Sequence, residues 1–155
     1  MVIKDKEHFC LFLPKPGQTI ADSETDARPY CTVPGLAPGA NILRSGDIKS
    51  AVLRKNNHFI QITGHLDNHK LGLHANDDGG QYDDYVSRDT PHGSPGGAVC
   101  QGFKYFVEIV EPDKQRYCIR CCHEVSNNPK DADHACIEGH SKTGCDGIMP
   151  GAHYD

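Results

Sequence analysis

The chain has 155 residues, 37% of them hydrophobic, with no Trp, a mean hydropathy of -0.57 and a formal charge of -5. An acidic balance without a Lys/Arg cluster argues against a protein that tracks nucleic-acid phosphates or docks on acidic membranes, and no apolar run approaches the roughly 18 residues of a membrane-spanning helix. The length predicts one domain, residues 1–155, but core material is sparse, and with 16 Gly and 10 Pro the eight Cys are the natural staples.

Residues 1–8, MVIKDKEH, are too charged for the core of a signal peptide. Together with the cysteine content, this predicts a mature, exported form with a replacement start Met. No Asn-x-Ser/Thr acceptor is present: Asn57, Asn68 and Asn76 all lack the hydroxyl two residues on.

Residues 9–13, FCLFL, predict an N-terminal strand ending at Pro14. Helical periodicity is scarce; the best stretch is Asp22 to Arg28, with acids in its first turn and Pro29 behind it, long enough for one or two turns. Residues 48–54 and 58–63 flank Lys55-Asn56-Asn57 and predict a hairpin. In its second strand His58, Ile60 and Ile62 share one face, while Phe59, Gln61 and Thr63 share the other. Residues 67–97, rich in Gly, Asp and His, read as one long loop. A second hairpin runs from Phe103 to Val110, turns at Glu111-Pro112-Asp113-Lys114 and returns as Gln115 to Arg120. Apolar groups on both faces of its first strand predict a central position in the sheet. The remainder, from Cys122 on, reads as loop. The expected fold is all-β, a small antiparallel sandwich or barrel with disulfide-stapled loops and at most short helical turns.

The segment YCIRCCHEVS, residues 117–126, holds Cys118, Cys121 and Cys122 ahead of His123. Cys118-x-x-Cys121 fails as a haem attachment site because residue 122 is Cys rather than His. At the end of a strand it also lacks the helix N-terminus that lowers a redox thiol pKa. A zinc site would need a second close pair, and Cys136 and Cys145 are too far apart in sequence for one, although His123 or His134 would serve as substitutes. Disulfides fit better. Adjacent Cys121 and Cys122 in an extended chain point to opposite faces and staple two loops, with Cys136 and Cys145 as targets. Cys10, Cys31, Cys100 and Cys118 would form the other two bridges, Cys10 with Cys31 by proximity.

The blocks FCLFLPKPG (9–17), IADSETDARPYC (20–31), IQITGHLD (60–67), DDGGQYD (77–83) and YFVEIVEPDKQRYCIRCC (105–122) resemble, in order and spacing, a family of small secreted cysteine-rich fungal proteins that includes delayed-type hypersensitivity antigens of basidiomycete yeasts. The resemblance runs from about Phe9 to Gly151. It implies export, extracellular disulfides and no established enzymatic activity. It also singles out Gln81, Tyr82 and Asp83 of the shared block as candidate binding residues, Tyr82 with the alternative of packing on the core.

Ten His is a high number for this length, and His65, His69 and His74 lie close in sequence with Asp67 as an oxygen donor. Converging, they would bind Zn or Cu; scattered, they are surface residues. The Ala75 to Asp84 loop fails the EF-hand spacing, with His74 and Tyr85 at the end positions, leaving a non-EF calcium site from Asp77, Asp78, Asp83 and Asp84 against a plain glycine turn. No Gly-x-Ser-x-Gly elbow or His-Glu-x-x-His motif occurs. Carboxylate pairs among Asp22, Glu24, Asp83, Asp84 and Glu108 exist on paper, and Glu108 is expected to be an exposed strand residue. The function expected is a secreted non-catalytic protein acting at the cell wall or host interface. Its partner would be a wall glycan or a host surface component, with no nucleic acid or membrane and no cofactor. The alternatives are an extracellular protein of a divalent metal (Zn, Cu or Ca) and a hydrolase of polysaccharide or RNA.

Overall fold

The computed structural model describes residues 1–83 and 100–155. Two antiparallel-dominated sheets face each other. The first has four strands in chain order: β1 (Ile3–Asp5), β2 (His8–Leu13), β3 (Arg28–Cys31) and β4 (Asn41–Ile42). The second has five, β5 (Val52–Lys55), β6 (Phe59–His65), β7 (Gly80–Asp83), β8 (Tyr105–Glu111) and β9 (Arg116–Cys122), ordered β5-β6-β9-β8-β7. A parallel pair, β10 (Val125–Ser126) and β11 (Cys136–Ile137), and a short helix, α1 (Gly144–Ile148), complete the described elements. The fold is therefore all-β with short helical turns, an open sandwich rather than a closed barrel.

The period of two along a strand explains the layering. On one face of the five-stranded sheet, Ile60, Ile62, Ile119, Tyr117, Phe106, Val110 and Tyr82 meet Phe9, Leu11, Phe12 and Leu13 of β2 in one buried cluster. Each such side chain contributes about 1.5–3 kcal/mol on burial. The opposite face carries Phe59, Val107, Ile109, Cys118 and Cys122, and the C-terminal segment covers it with Ala132, Ile137, Ile148 and Met149. A sheet buried on both faces explains why β6, β8 and β9 are almost uniformly buried.

Both predicted hairpins form. In the first, Asn56 Oδ1 accepts from the His58 and Phe59 amides at 2.7 and 3.0 Å, closing the turn. In the second, Pro112–Lys114 makes a 3-10 turn ended by Gln115 at φ 50°. Three expectations need correction. The helical stretch at 22–28 shrinks to a 3-10 turn at Ala21–Ser23, because Arg28 already belongs to β3, held in register opposite β2 with Cys31 facing Cys10. The 67–97 loop contains β7, which pairs with β8 from Gly80 opposite Val110 to Asp83 opposite Val107; residues 84–97 of that loop lie outside the described residues. The C-terminal loop holds β10, β11 and α1.

The cysteines form four bridges: Cys10–Cys31, Cys100–Cys121, Cys118–Cys145 and Cys122–Cys136. Cys136 and Cys145 are tied to β9, and Cys121 and Cys122 do face opposite ways. Cys10–Cys31 is the expected pair and Cys122 takes an expected target, but Cys145 pairs with Cys118 rather than Cys121, because both C-terminal cysteines lie over the same sheet face. Cys118 and Cys122, four residues apart on a strand, look toward that face, whereas Cys121 looks toward the other sheet, where Cys100 sits.

Glu108 corrects another expectation: it is fully buried, not exposed. Its Oε1 accepts from the Phe12 amide at 2.8 Å and so links the two sheets, while Oε2 has no partner. Burial pushes the carboxyl well above its ordinary range, against the opposing effects of that hydrogen bond and of the Met1 amine. The neighbouring Tyr82 hydroxyl is itself raised by burial. The folded state thus holds a proton that the unfolded chain releases near pH 4.3, so stability is highest in acid and falls as pH rises above about 4.3, until the folded-state pKa is passed. Glu108→Gln mimics the protonated acid. It is expected to melt close to wild type at pH 4 and increasingly above it toward pH 8, as followed by circular dichroism. A constant difference across that range would show that Glu108 does not titrate with folding.

Candidate binding cleft

The DDGGQYD block leads into a surface cleft. Asp77 organises the approach: its carboxylate accepts from the Ile20 and Gly79 amides, each at 2.8 Å, and its carbonyl accepts from the Asp113 amide at 2.9 Å. Gly79 then adopts φ 104°, and a Cβ there would lie 2.2 Å from the Val110 carbonyl oxygen, so only glycine lets the chain enter β7 this close to β8. Beside it opens a cleft of about 410 Å³, lined by Asp78, Gly79 and Gly80 on one side, Ile109, Glu111, Lys114 and Arg116 on the floor, and Lys142 to Gly144 with Asp146 on the other.

The floor is an ion network. Glu111 is nearly buried; its Oε1 lies 2.6 Å from Arg116 Nε and its Oε2 3.4 Å from Lys114 Nζ. Arg116 also reaches Asp146 Oδ2 at 3.0 Å and stacks 4.8 Å from the Tyr154 ring centre. Although burial works against it, the Glu111 and Asp146 carboxylates hold the Arg116 guanidinium above its ordinary value. Gly144, at φ 65°, packs where a Cβ would stand 2.5 Å from Glu111 Oε2, so α1 can start directly over the network. Asp78 and Lys142 bring opposite charges to the cleft lining. The surface is suited to a polar ligand carrying hydroxyls or compensated charges.

The residues singled out from the sequence fall around this cleft rather than in it. Tyr82 is buried on the inter-sheet face, its hydroxyl 2.6 Å from Ser23 Oγ, and packs on Phe12. Gln81 and Asp83 point to the other face, both buried, with Gln81 Nε2 donating to Asp83 Oδ2 at 3.0 Å and Gln81 Oε1 unpartnered. It is the two glycines before them that line the opening. The proposed histidine set does not gather. His65 Nδ1 pairs with Asp155 at 2.8 Å, His74 Nε2 lies 2.6 Å from the Gly17 carbonyl oxygen, and His69 is exposed on a turn. Asp67 Oδ1 accepts from the Lys70 amide at 3.0 Å, a bond that lowers its carboxyl pKa. Among the described residues, no group of three or more His, Cys, Asp or Glu side chains is placed to hold a metal ion. Of the alternative calcium set, Asp77 is committed to backbone amides and Asp84 lies outside the described residues. Sequence reasoning missed Glu111, Arg116, Lys142 and Asp146; the available signal was the charged turn and strand start EPDKQR, which β8 and β9 bring beside the glycine pair.

Comparison with known proteins finds fungal relatives. The chain is 30% identical over 135 residues to the appressorium protein ROW2 of Mycosarcoma maydis, covering 77% of this chain and 43% of the relative. It is 29% identical over 130 residues to the appressorium protein ROW1 of the same fungus, covering 77% and 30%. The chain thus spans less than half the length of these curated relatives. No family model and no solved structure matches. The fungal side of the sequence resemblance stands on these similarities, and four disulfides fit a protein exposed to an oxidising, extracellular milieu. No helix of the described residues is long and apolar enough to cross a membrane.

Proposed function

We propose that the protein is a secreted, non-catalytic fungal binding module that works where the fungal wall meets its host, and that the Gly79–Gly80 cleft receives a polar ligand, a wall glycan or a host-surface glycan. The similarity to two appressorium proteins carries the setting, since an appressorium is the fungal structure pressed against a host. The disulfide framework supports export, and the resemblance to secreted hypersensitivity antigens points the same way. The Glu111 and Asp146 carboxylates of the cleft are both engaged by Arg116, and the remaining lining carboxylate, Asp78, has no second free carboxylate among the lining residues to form an acid–base pair with it, which favours binding over turnover.

The test is sedimentation with insoluble fungal-wall and plant-wall polysaccharides, followed by an assay for reducing ends. Wild-type protein is expected to pellet with one class of polymer without releasing sugar. Lys142→Glu and Asp78→Lys, which reverse exposed charges at the cleft without touching the core, are expected to lower the bound fraction at least threefold. Reducing ends accumulating over time would favour the hydrolase instead, and binding unaffected by either substitution would remove the cleft from the proposal.

A further inference from the structure

The acidic charge of the chain is not spread evenly. Residues 48–66, which span the β5–β6 hairpin, carry Lys49, Arg54 and Lys55 and no acid, so all 21 acidic residues lie elsewhere. β5 is the outer strand of the five-stranded sheet. Its pairing leaves one side of the strand open. The Asn56 amide donates to the Phe59 carbonyl at 3.1 Å, and the register sets Lys55 opposite Ile60, Arg54 opposite Gln61 and Leu53 opposite Ile62. Antiparallel partners alternate between hydrogen-bonded and non-bonded pairs, so Arg54 bonds to β6 while the N–H and C=O groups of Leu53 and Lys55 point outward. Among the described residues, no hydrogen bond reaches those four groups.

We propose that the open side of β5 takes an extended acidic segment of a partner protein as an added strand. The backbone groups of Leu53 and Lys55 give it affinity, because their donors and acceptors meet the complementary groups of the guest. The side chains set the sequence it takes. Leu53 and Lys55 share one sheet face, and Arg54 projects from the other. Leu53 is 38% exposed, one of two large hydrophobic side chains left so open among the described residues. Arg54 and Lys55 are exposed, and among the described residues neither is drawn into a salt bridge; Arg54 lies 5.3 Å from the Phe59 ring centre, which holds it at the edge. An antiparallel guest thus sets an acid opposite Lys55, a second acid opposite Arg54 and an apolar residue opposite Leu53, in that order. Opposite charges and apolar pairs across neighbouring strands are each favourable.

The same charges argue against a second copy as the occupant. Two β5 strands paired about a two-fold axis would bring the Arg54 and Lys55 side chains of both copies together, and like charges across strands destabilise. Charge alone would also attract an acidic polysaccharide, but that polymer has no amides spaced to match Leu53 and Lys55. The edge is not closed by the devices that usually block one, since β5 holds no Pro and pairs with β6 without a bulge. The template is also fixed in place: Asn56 closes the turn, and β6 is paired along its whole length to β9. No residue of β5 or β6 lines the cleft, so the edge is a separate site and does not rest on the cleft's proposed ligand.

Fluorescence anisotropy with the labelled peptide Thr-Glu-Glu-Val-Thr tests the edge, together with amide exchange by NMR. Saturable binding is expected, weakening as salt is raised, with slower exchange at the Leu53 and Lys55 amides. The same peptide N-methylated at its first Glu and at Val keeps every charge but loses the donors that face β5, and is expected to bind at least tenfold more weakly. Arg54→Glu and Lys55→Glu are each expected to weaken binding at least tenfold, with thermal melts that coincide with wild type. Leu53→Pro, tolerated on an edge strand, removes one outward donor and is expected to act in the same direction. Lys6→Glu, an exposed cation outside the hairpin, serves as the unchanged control. No saturation by about 1 mM peptide, equal binding of the N-methylated peptide, or capture of polygalacturonate in preference to the peptide would overturn the proposal. Self-association of the free protein that Leu53→Pro abolishes would overturn it too, by placing a second copy on the edge.

Discussion

Replacing Cys118 and Cys145 together by alanine is expected to lower the unfolding free energy by about 3–4 kcal/mol, and replacing Cys122 and Cys136 by about 3 kcal/mol. The bridges close 27 and 14 residues of chain, and the loop-entropy model makes the longer the more stabilising. Both join β9 to the C-terminal segment. With one bridge gone, the layer of Ala132, Ile137, Ile148 and Met149 is held on the sheet by the other bridge, by its buried apolar contact and by the Arg120 hydrogen bonds to Ala132 and Ala135. Cys10–Cys31, within the first sheet, and Cys100–Cys121, on the inter-sheet face, remain in place. Limited proteolysis of the Cys118→Ala/Cys145→Ala protein is therefore expected to cut first between residues 123 and 155, with fragments from β1 to β9 persisting. Loss of Cys10–Cys31, which closes a 21-residue separation, is expected to cost a similar amount but to leave residues 123–155 protected. Equal protection of both segments in all variants, or a loss below about 1 kcal/mol for Cys118→Ala/Cys145→Ala, would mean that the layer is held by packing alone.

Elements with a strong local signal were legible. FCLFL, HFIQIT and FKYFVEIV are rich in β-formers and bounded by Pro, Asn and the EPDK turn, so strand type and hairpin pairing follow from short-range chemistry. β7 was not legible. Its four residues, Gly80–Asp83, follow a glycine pair and bury Gln81 and Asp83, and nothing local announces a strand until β8 is there to pair with it. The helix α1 is similar: GCDGI has two glycines and poor propensity, and its position is set by the Cys118–Cys145 bridge and by Ile148 on the sheet.

Glu108 shows the limit of alternation as a guide. The pattern Phe103, Tyr105, Val107, Ile109 against Lys104, Phe106, Glu108, Val110 leaves the sheet side undetermined when both faces are covered, and a single charged residue was read as marking solvent. In the folded protein it is the hydrogen-bond acceptor for a β2 amide in the middle of the sandwich. Site residues fared alike. The glycine block pointed to the right region, but Glu111, Arg116 and Asp146 become neighbours only through the β8–β9 turn and the C-terminal layer, which brings Asp146 back to Arg116 across 30 positions of chain. His65, His69 and His74, close in sequence, are spread between the end of β6 and the loop that follows it.

Arg120→Ala is expected to destabilise the protein by about 4 kcal/mol and to loosen residues 129–135 selectively. Arg120 is 1% exposed, and its Nη2 has no hydrogen-bond partner among the described residues. Its Nε donates to Gln61 Oε1 at 2.9 Å, and its Nη1 donates to the Ala132 carbonyl and to the Ala135 carbonyl at 3.0 Å. Its guanidinium carbon lies 3.8 Å from the Phe59 ring centre. Burial, reinforced by the Arg54 charge, lowers its pKa to about 10, so it stays cationic at neutral pH. Burying the charge costs several kcal/mol, which charge-assisted bonds of about 1.5–3 kcal/mol each and a desolvated cation–π contact of about 2 kcal/mol offset. Removing the side chain leaves two carbonyls and Gln61 unpaired under a cavity, the combination that makes broken buried pairs cost about 3–5 kcal/mol. Arg120→Met separates the contributions: it restores volume and removes the buried charge, and is expected to lose only about 1–3 kcal/mol for the unpaired carbonyls. Arg120→Lys cannot reproduce the planar fork and is expected to fall nearer to alanine. Denaturant unfolding measures the three losses, and amide exchange at Ala132 to Cys136 reports the local effect. Full stability in Arg120→Met with unchanged exchange would show that Arg120 fills space beneath the segment without holding it, and the backbone under Asp133 and His134 would then owe its position to the Cys122–Cys136 bridge.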